Sequence, residues 1–247
     1  MDRMIYTAMS GAKHILEQQT TTAHNLANTS STGFKAQVDS FRAVPIVSDG
    51  LNTRTFVVDA TVGADFSNGP IQATNRDLDI AIQGKGWLAV QRADGSEGYT
   101  RNGALKLNEN GVLQTSNGLT VLGDTGPITI PPDVRISIGK DGTISSVQNT
   151  TVPGPANTIG RLKLVNPDES NLVRGGDGLF VTADNSPVQA DATVSVVTGA
   201  LEGSNVNVVD AMVTMISLQR QFDTQMRLLQ DAEKNAEKAN QIFGLNG

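Results

Sequence analysis

The sequence predicts an α+β fold in which long N- and C-terminal α-helices form a coiled-coil-like domain around a central, mostly antiparallel β domain. Three observations lead there. All nine prolines and 22 of the 25 glycines lie between Gly33 and Gly203, so the two ends are built from different material than the middle. Apolar residues recur at helical spacing in both ends, and between the ends short β-type runs alternate with turn residues. The expected division is an N-terminal helix over 1–30 that pairs with 205–247, an extended connecting segment over 31–75, a central β domain over 76–204, and a C-terminal helix over 205–247.

From Asp2 to Ala27 only Gly11 interrupts a run with apolar or small residues at Ile5, Ala8, Ala12 and Ile15, weakening at Gln19 and Thr22 before Leu26. That alternation marks one face of a helix. The three consecutive threonines Thr20 to Thr22 have poor helix propensity because β-branching restricts χ1. A helix of marginal propensity persists only when packed, so this segment is expected to order when partners cover it. It breaks at "NLANTSSTGF", Asn25 to Phe34, where Asn28 is expected to stop the helix in the left-handed conformation. The following serines and threonines favour turn bonding, and Gly33 permits a reversal.

Residues 31–75, with Pro45, Pro70 and scattered threonines, read as an extended connection rather than a second core. Beyond them come "LDIAI", "WLAVQ", "YTRNG", "ALKL", "VLQT", "ITI", "RISI", "TISSV", "RLKLV", "LFVT" and "TVSVV", separated by "DG", "NG", "NENG" and "GDG". Such spacing fits hairpins of a compact antiparallel domain. "TVPGPANT", Thr151 to Thr158, reads as a loop within it.

The C-terminal segment has neither glycine nor proline from Ser204 to Phe243. Its seam runs through Val208, Ala211, Met215, Leu218, Phe222, Gln225, Leu229, Ala232, Ala236, Ala239 and Phe243, a heptad pattern. Asn207 is the expected N-cap, Asp210 supplies an acidic first turn, and Gly244 the stop. At 1.5 Å per residue such a helix is on the order of 55 Å long. Seams of Ala, Met and Gln suit close helix approach within a larger assembly, so Ile5, Ala8, Ala12, Ile15, Leu26 and the apolar residues of the C-terminal seam are the candidate assembly interface. The mixed charges at Arg220, Asp223, Arg227, Asp231, Glu233, Lys234, Glu237 and Lys238 form a solvated face.

The chemistry-bearing residues point away from catalysis. A formal net charge of −6 disfavours nucleic acid, whose phosphates need a basic face. There is no cysteine for disulfides, zinc thiolates or a nucleophile. The two histidines, His14 and His24, fall ten apart on the weak helix rather than around one metal, so no metal site is expected. Asp77 and Asp79, two apart at a strand entry, are the one carboxylate pair a glycan-cleaving enzyme could use, and surface carboxylates are the expected reading. "GKGWL" lacks the phosphate-loop spacing, and "GKDGT" and "RGGDG" lack a calcium ligand array. No enzyme activity, cofactor or small-molecule substrate is expected. No secretory leader or membrane-spanning run is visible, so the chain is expected to be cytoplasmic or to leave by a route that does not read a hydrophobic leader.

Three stretches in order, "SGAKHILEQQTTTAHNLANTSSTGFKA", Leu78 to Gly123, and "GALEGSNVNVVDAMVTMISLQRQFDTQMRLLQ", together resemble the axial proteins of the bacterial flagellum, the rod and hook family. The length, the opening "MDRMIYTAM" and the "RAVPI" after the first stretch are most similar to proximal rod subunits, with the distal rod as the alternative. The resemblance implies a structural subunit whose ends form an inner helical layer of a hollow shaft crossing the periplasm, with the β domain outside. It implies as partners other copies of the chain, neighbouring proximal and distal rod proteins, and the flagellar type III export apparatus. Within that family Thr32 stands where proline is usual and Leu105 where an aromatic is common. Asn28, Thr32, Gly33 and Phe34 then read as a somewhat loose hinge between an assembly helix and an outer domain. The rival from another class is a secreted β-domain adhesin whose helices merely trimerise it.

Overall fold

A computed structural model describes residues 2–45, 55–132, 134–148 and 157–244. Thr151 to Ala156 of the expected loop, and Ile46 of "RAVPI", lie outside the described residues. The chain divides into two compact units, one comprising Met1–Asn28, Gln37–Asp65 and Val206–Gly247, the other Thr29–Ala36 and Phe66–Asn205.

The first unit holds α1 (Asp2–Ala27), β1 (Gln37–Pro45), β2 (Thr55–Ala64) and α2 (Val208–Gly244). β1 and β2 pair antiparallel from Gln37 opposite Ala64 to Pro45 opposite Thr55, with an irregularity between Ser40 and Phe41. "FRAV" and "TFVVDATV" are dense in β-branched and aromatic residues, which suit a pleated surface. Pro45 is tolerated because it closes the strand. The segment between the first helix and the body is therefore a ribbon where the sequence pattern alone suggests a plain connection. α1 packs against both the ribbon and α2.

The expected fold class needs correction. The described residues contain two α-helices, one at each end, and a mainly β-sheet body, with no coiled-coil domain formed by the ends. The reason lies in what α1 touches. One face of α1 is occupied by the ribbon, with the His14 ring edge-on to Phe41 at 5.7 Å, Thr21 Oγ1 donating to Asp39 Oδ1 at 2.8 Å, and Asn25 exchanging two hydrogen bonds with the Gln37 backbone. A helix held on two different sides, in a seam where only Ala12, Ile15 and Leu218 are buried among the described side chains, does not build knobs-into-holes layers.

Among its described residues the second unit is built of strands and connections, with one short 3₁₀ turn at Glu169–Asn171. Its strands are β3 (Ile71–Ala73), β4 (Ile80–Gln83), β5 (Trp87–Gln91), β6 (Glu97–Thr100), β7 (Leu105–Leu107), β8 (Leu113–Thr115), β9 (Thr120–Gly123), β10 (Gly126–Pro127), β11 (Val134–Ile138), β12 (Thr143–Gln148), β13 (Asn157–Arg161), β14 (Leu164–Val165), β15 (Leu172–Arg174), β16 (Phe180–Thr182), β17 (Ser195–Thr198) and β18 (Ala200–Glu202). The main sheet runs β15-β16-β6-β5-β9-β8-β7, with β10 on β9 and β14 on β5. A second sheet is β11-β12-β13, and β17 pairs β4 while β18 pairs β3. Every pairing is antiparallel.

The turns between these strands are fixed by side chains. Asp94, Asp141, Asp184 and Asp191 each accept from the backbone N–H and the hydroxyl of the Ser or Thr two residues on. Those bonds hold all four carboxyls below the ordinary carboxylate range. Behind the turns lies one apolar cluster that includes Ile80, Leu88, Val90, Leu105, Leu113 and Ile144, each no more than 1% exposed.

Candidate assembly interface

In the helical unit the two helices meet along the seam that the heptad spacing marks. Ala12, Ile15 and Leu218 are buried, while Ala8, Leu26, Ala211, Met215, Phe222, Leu229 and Ala232 are half-buried and Val208 is exposed. The side chains of Ile5, Ala236, Ala239 and Phe243 lie outside what is described. Gln19 Nε2 donates to Gln219 Oε1 at 2.9 Å, and Gly11 lies against the Gln225 side chain. Thr20 and Thr22 bond back to the carbonyls of Leu16 and Gln18, so the weak stretch keeps its helical path. Asn207 Oδ1 accepts from the N–H groups of Val209 and Asp210, the N-cap of α2.

A second apolar stripe lies on the opposite side of α2 from the seam. Val209, Met212, Val213 and Ile216 fall at helical spacing and are 66%, 49%, 62% and 56% exposed. On α1, Tyr6, Met9 and Leu16 are also half or more exposed. Three turns along α2 the same line carries Arg220, Asp223 and Arg227, so the bare apolar patch belongs to the first turns of the helix. The heptad reading follows one seam and passes over this stripe, although the same i, i+3, i+4, i+7 spacing reveals it once α2 is read for two faces.

The hinge residues fall differently. Asn28 belongs to the helical unit and does not take the left-handed conformation; its N–H donates to Asn25 O at 3.1 Å and its side chain to His24 O, a tightened last turn that satisfies the helix end. Thr32, Gly33 and Phe34 belong to the β unit. Gly33 has φ +67°, and a Cβ there would overlap the Arg101 carbonyl, so both conformation and space demand glycine. Its N–H donates to Glu202 O at 2.7 Å. The Arg174 guanidinium lies over the Phe34 ring at 4.7 Å and over the Phe180 ring at 5.0 Å. Arg174 Nη2 donates to Lys35 O at 2.6 Å.

Next to them lies a buried charge cluster with no signal in the sequence, because its members are far apart along the chain. Lys35 Nζ sits 2.8 Å from Glu202 Oε1 and also donates to Ser67 O, and both side chains are almost wholly buried. The same Oε1 accepts the Gly69 N–H at 3.0 Å. Arg101 Nε faces Glu202 Oε2 at 3.3 Å without hydrogen-bond alignment, while its Nη2 donates to Asn68 Oδ1 and Gly84 O. Burial pulls Arg101 below the usual guanidinium range, and Glu202 opposes that. Two cations on one carboxylate are tolerated because carbonyl oxygens share the second charge.

The remaining sequence candidates are structural. Asp79 is buried against Arg76 Nε at 3.3 Å and precedes β4, whereas Asp77 is exposed in the turn before it, so the two do not form a facing pair. "GKGWL" is a turn leading Trp87 into β5, where the indole packs on Phe66 and Phe180. His14 Nδ1 lies 3.1 Å from Glu17. Among the described residues no group of three or more His, Asp or Glu could hold a metal, and no helix is long and apolar enough to cross a membrane.

Comparison with known proteins gives this arrangement a context. Residues 81–146 match the D1 domain of the flagellar hook protein FlgE/F/G family, and residues 197–242 match the C-terminal region of the flagellar basal body rod FlgEFG proteins. The chain is 48% identical to the flagellar basal-body rod protein FlgF of Escherichia coli and 44% identical to that of Salmonella typhimurium, each over 100% of both chains. To the flagellar basal-body rod protein FlgG of Buchnera aphidicola it is 30% identical, over 89% of this chain and 92% of the relative.

Proposed function

Since the chain belongs to the FlgF family of flagellar basal-body rod proteins, we propose that it polymerises into the proximal rod through its helical unit. It is a structural subunit of the flagellar basal body, in a family of structural proteins rather than enzymes, and it assembles with other rod proteins. The observation that carries the assembly reading is the exposed stripe Val209, Met212, Val213 and Ile216, whose side chains a soluble helix has no reason to gather on one line. The paired seam of Ala8, Ala12, Ile15, Leu26, Ala211, Met215, Leu218, Phe222 and Leu229 brings α1 and α2 together, and the stripe meets the neighbouring subunit. Ile5, Val208, Ala232, Ala236, Ala239 and Phe243 are the remaining residues proposed for the assembly interface.

The partners are further copies of this chain, adjoining proximal rod proteins and the distal rod protein FlgG, in a hollow shaft within the periplasm. Delivery is by the flagellar type III export apparatus. Photo-crosslinking in assembling cells tests the reading: a probe at Val213 is expected to capture rod proteins, while a probe at Phe222 reacts within its own chain. Intact basal bodies in which the Val213 probe captures no neighbour would contradict it.

A further inference from the structure

The chain enters and leaves the β unit at four points, Thr29, Ala36, Phe66 and Asn205. All three stretches that carry these points are fastened to one another inside the unit. The first is tied to the last: Gly33 N–H donates to Glu202 O, Asn205 N–H to Phe34 O at 3.3 Å, and Ala36 N–H to Asn205 Oδ1 at 2.7 Å. The middle stretch is tied to both, since Ser67 O accepts from Lys35 Nζ and from Asn205 Nδ2, and Gly203 N–H donates to Pro70 O at 2.8 Å. Gly69 lies so close that a Cβ would overlap Gly203 O.

Besides the Asn205 amide, one buried side chain touches every stretch. Glu202, 1% exposed, binds Lys35 of the first and the Gly69 N–H of the second, and it is itself part of the third through β18. Arg101, from the turn after β6, anchors the far side of its carboxylate to the body. We propose that Glu202, with Lys35 and Arg101, is the mechanical junction of the subunit. Tension arriving along any one of these stretches is shared by all of them and delivered to the sheet through Arg101, so no single stretch peels away first. This rests on the rod reading, because a shaft loads its subunits in a way that a freely diffusing protein never experiences. A simple stabilising ion pair has no need to join each stretch that leaves the domain.

The natural chain has no cysteine, so handles can be attached wherever cysteines are introduced. The full-length protein is held at constant force in two directions, between Asp223→Cys on α2 and Glu109→Cys in the body, or between Glu109→Cys and Gln189→Cys within the body. Breaking one partner of a buried ion pair is severe, and forced unfolding follows the unfolding rate. Glu202→Gln is therefore expected to shorten the lifetime under helix-to-body pull at least ~10-fold more than under body-only pull. Equal shortening in both directions, or none, would overturn the junction. If Glu202→Gln does not fold, judged by Trp87 fluorescence, Lys35→Met is pulled in the same two directions and decides by the same criterion. Both pulls use the free chain, so a missing directional effect contradicts the junction alone, whereas a silent Val213 probe contradicts the rod reading.

Discussion

The β body and the helical unit bury their apolar residues in opposite ways. In the body Leu88, Val90, Leu105, Leu113, Val121 and Ile144 are at most 1% exposed, and the buried Lys35 and Arg101 both face the Glu202 carboxylate. In the helical unit only Ala12, Ile15 and Leu218 are buried among the described side chains, while Val209, Val213 and Ile216 are more than half exposed. Burial of apolar surface stabilises by roughly 25 cal/mol per Å², so the body carries its own stability and the helical unit leaves much of its share to be gained from neighbours. A rod subunit needs this division, because a helical unit finished in isolation would gain little by polymerising.

Trp87 is the only tryptophan and sits in the body, while helical ellipticity reports chiefly on α1 and α2. The two regions can thus be perturbed and read separately. The largest effect is expected from Glu202→Ala, which strands Lys35 and Arg101 without their carboxylate and lowers the stability of the body by about 3–5 kcal/mol in urea unfolding followed by Trp87. A loss below about 1 kcal/mol would show that the cluster is not electrostatically coupled. Leu113→Ala, at a fully buried site, is expected to cost about 2–5 kcal/mol by the same signal. Leu218→Ala should move the ellipticity transition and leave the Trp87 transition in place; a shift of both together would erase the contrast.

Ile216→Ser and Val213→Ser are expected to change the free chain by no more than about 0.5 kcal/mol, yet to abolish entry into rods, read as loss of swimming and of the subunit from purified basal bodies. Normal assembly of both variants would remove the stripe from the interface. The smallest effect concerns acid. Hydrogen bonds lower the carboxyls of Asp94, Asp141, Asp184 and Asp191 in the folded chain, so their contribution is present above the ordinary aspartate value and is lost as pH falls through the depressed folded values. Because Asp141 lies at the surface, the Trp87 transition of Asp141→Asn should differ from the parent only slightly at neutral pH and converge with it in strong acid. A difference that grows toward low pH would reverse the sign of the argument.

Local signals explain which parts of this contrast the sequence discloses. Turn dipeptides and the Asn207 cap depend on residues two or three apart, and the corresponding hydrogen bonds are formed. The two proline-free, glycine-poor ends are helical for the same reason, whereas their expected union as a coiled-coil domain fails because α1 also holds the ribbon. Nothing near "SFRAVP" announces that its partner strand begins ten residues further on. The Lys35–Glu202 contact spans 167 positions, and a single lysine or glutamate in a sequence reads as surface. So Lys35, directly after the expected hinge residues Thr32, Gly33 and Phe34, is one of the most tightly held side chains of the body, and the stop at Asn28 depends on a tightened last turn rather than on a left-handed residue.

Hydrogen exchange on the free monomer and on purified rods compares the two regions most directly, because protection reports local opening free energy. Amides of β5, β8 and β9 are expected to be strongly protected in both samples, whereas those of α1 and of the first turns of α2 exchange quickly in the monomer and become protected only in the rod. Helices as strongly protected in the free monomer as the β body would contradict the claim that the helical unit is completed by its neighbours.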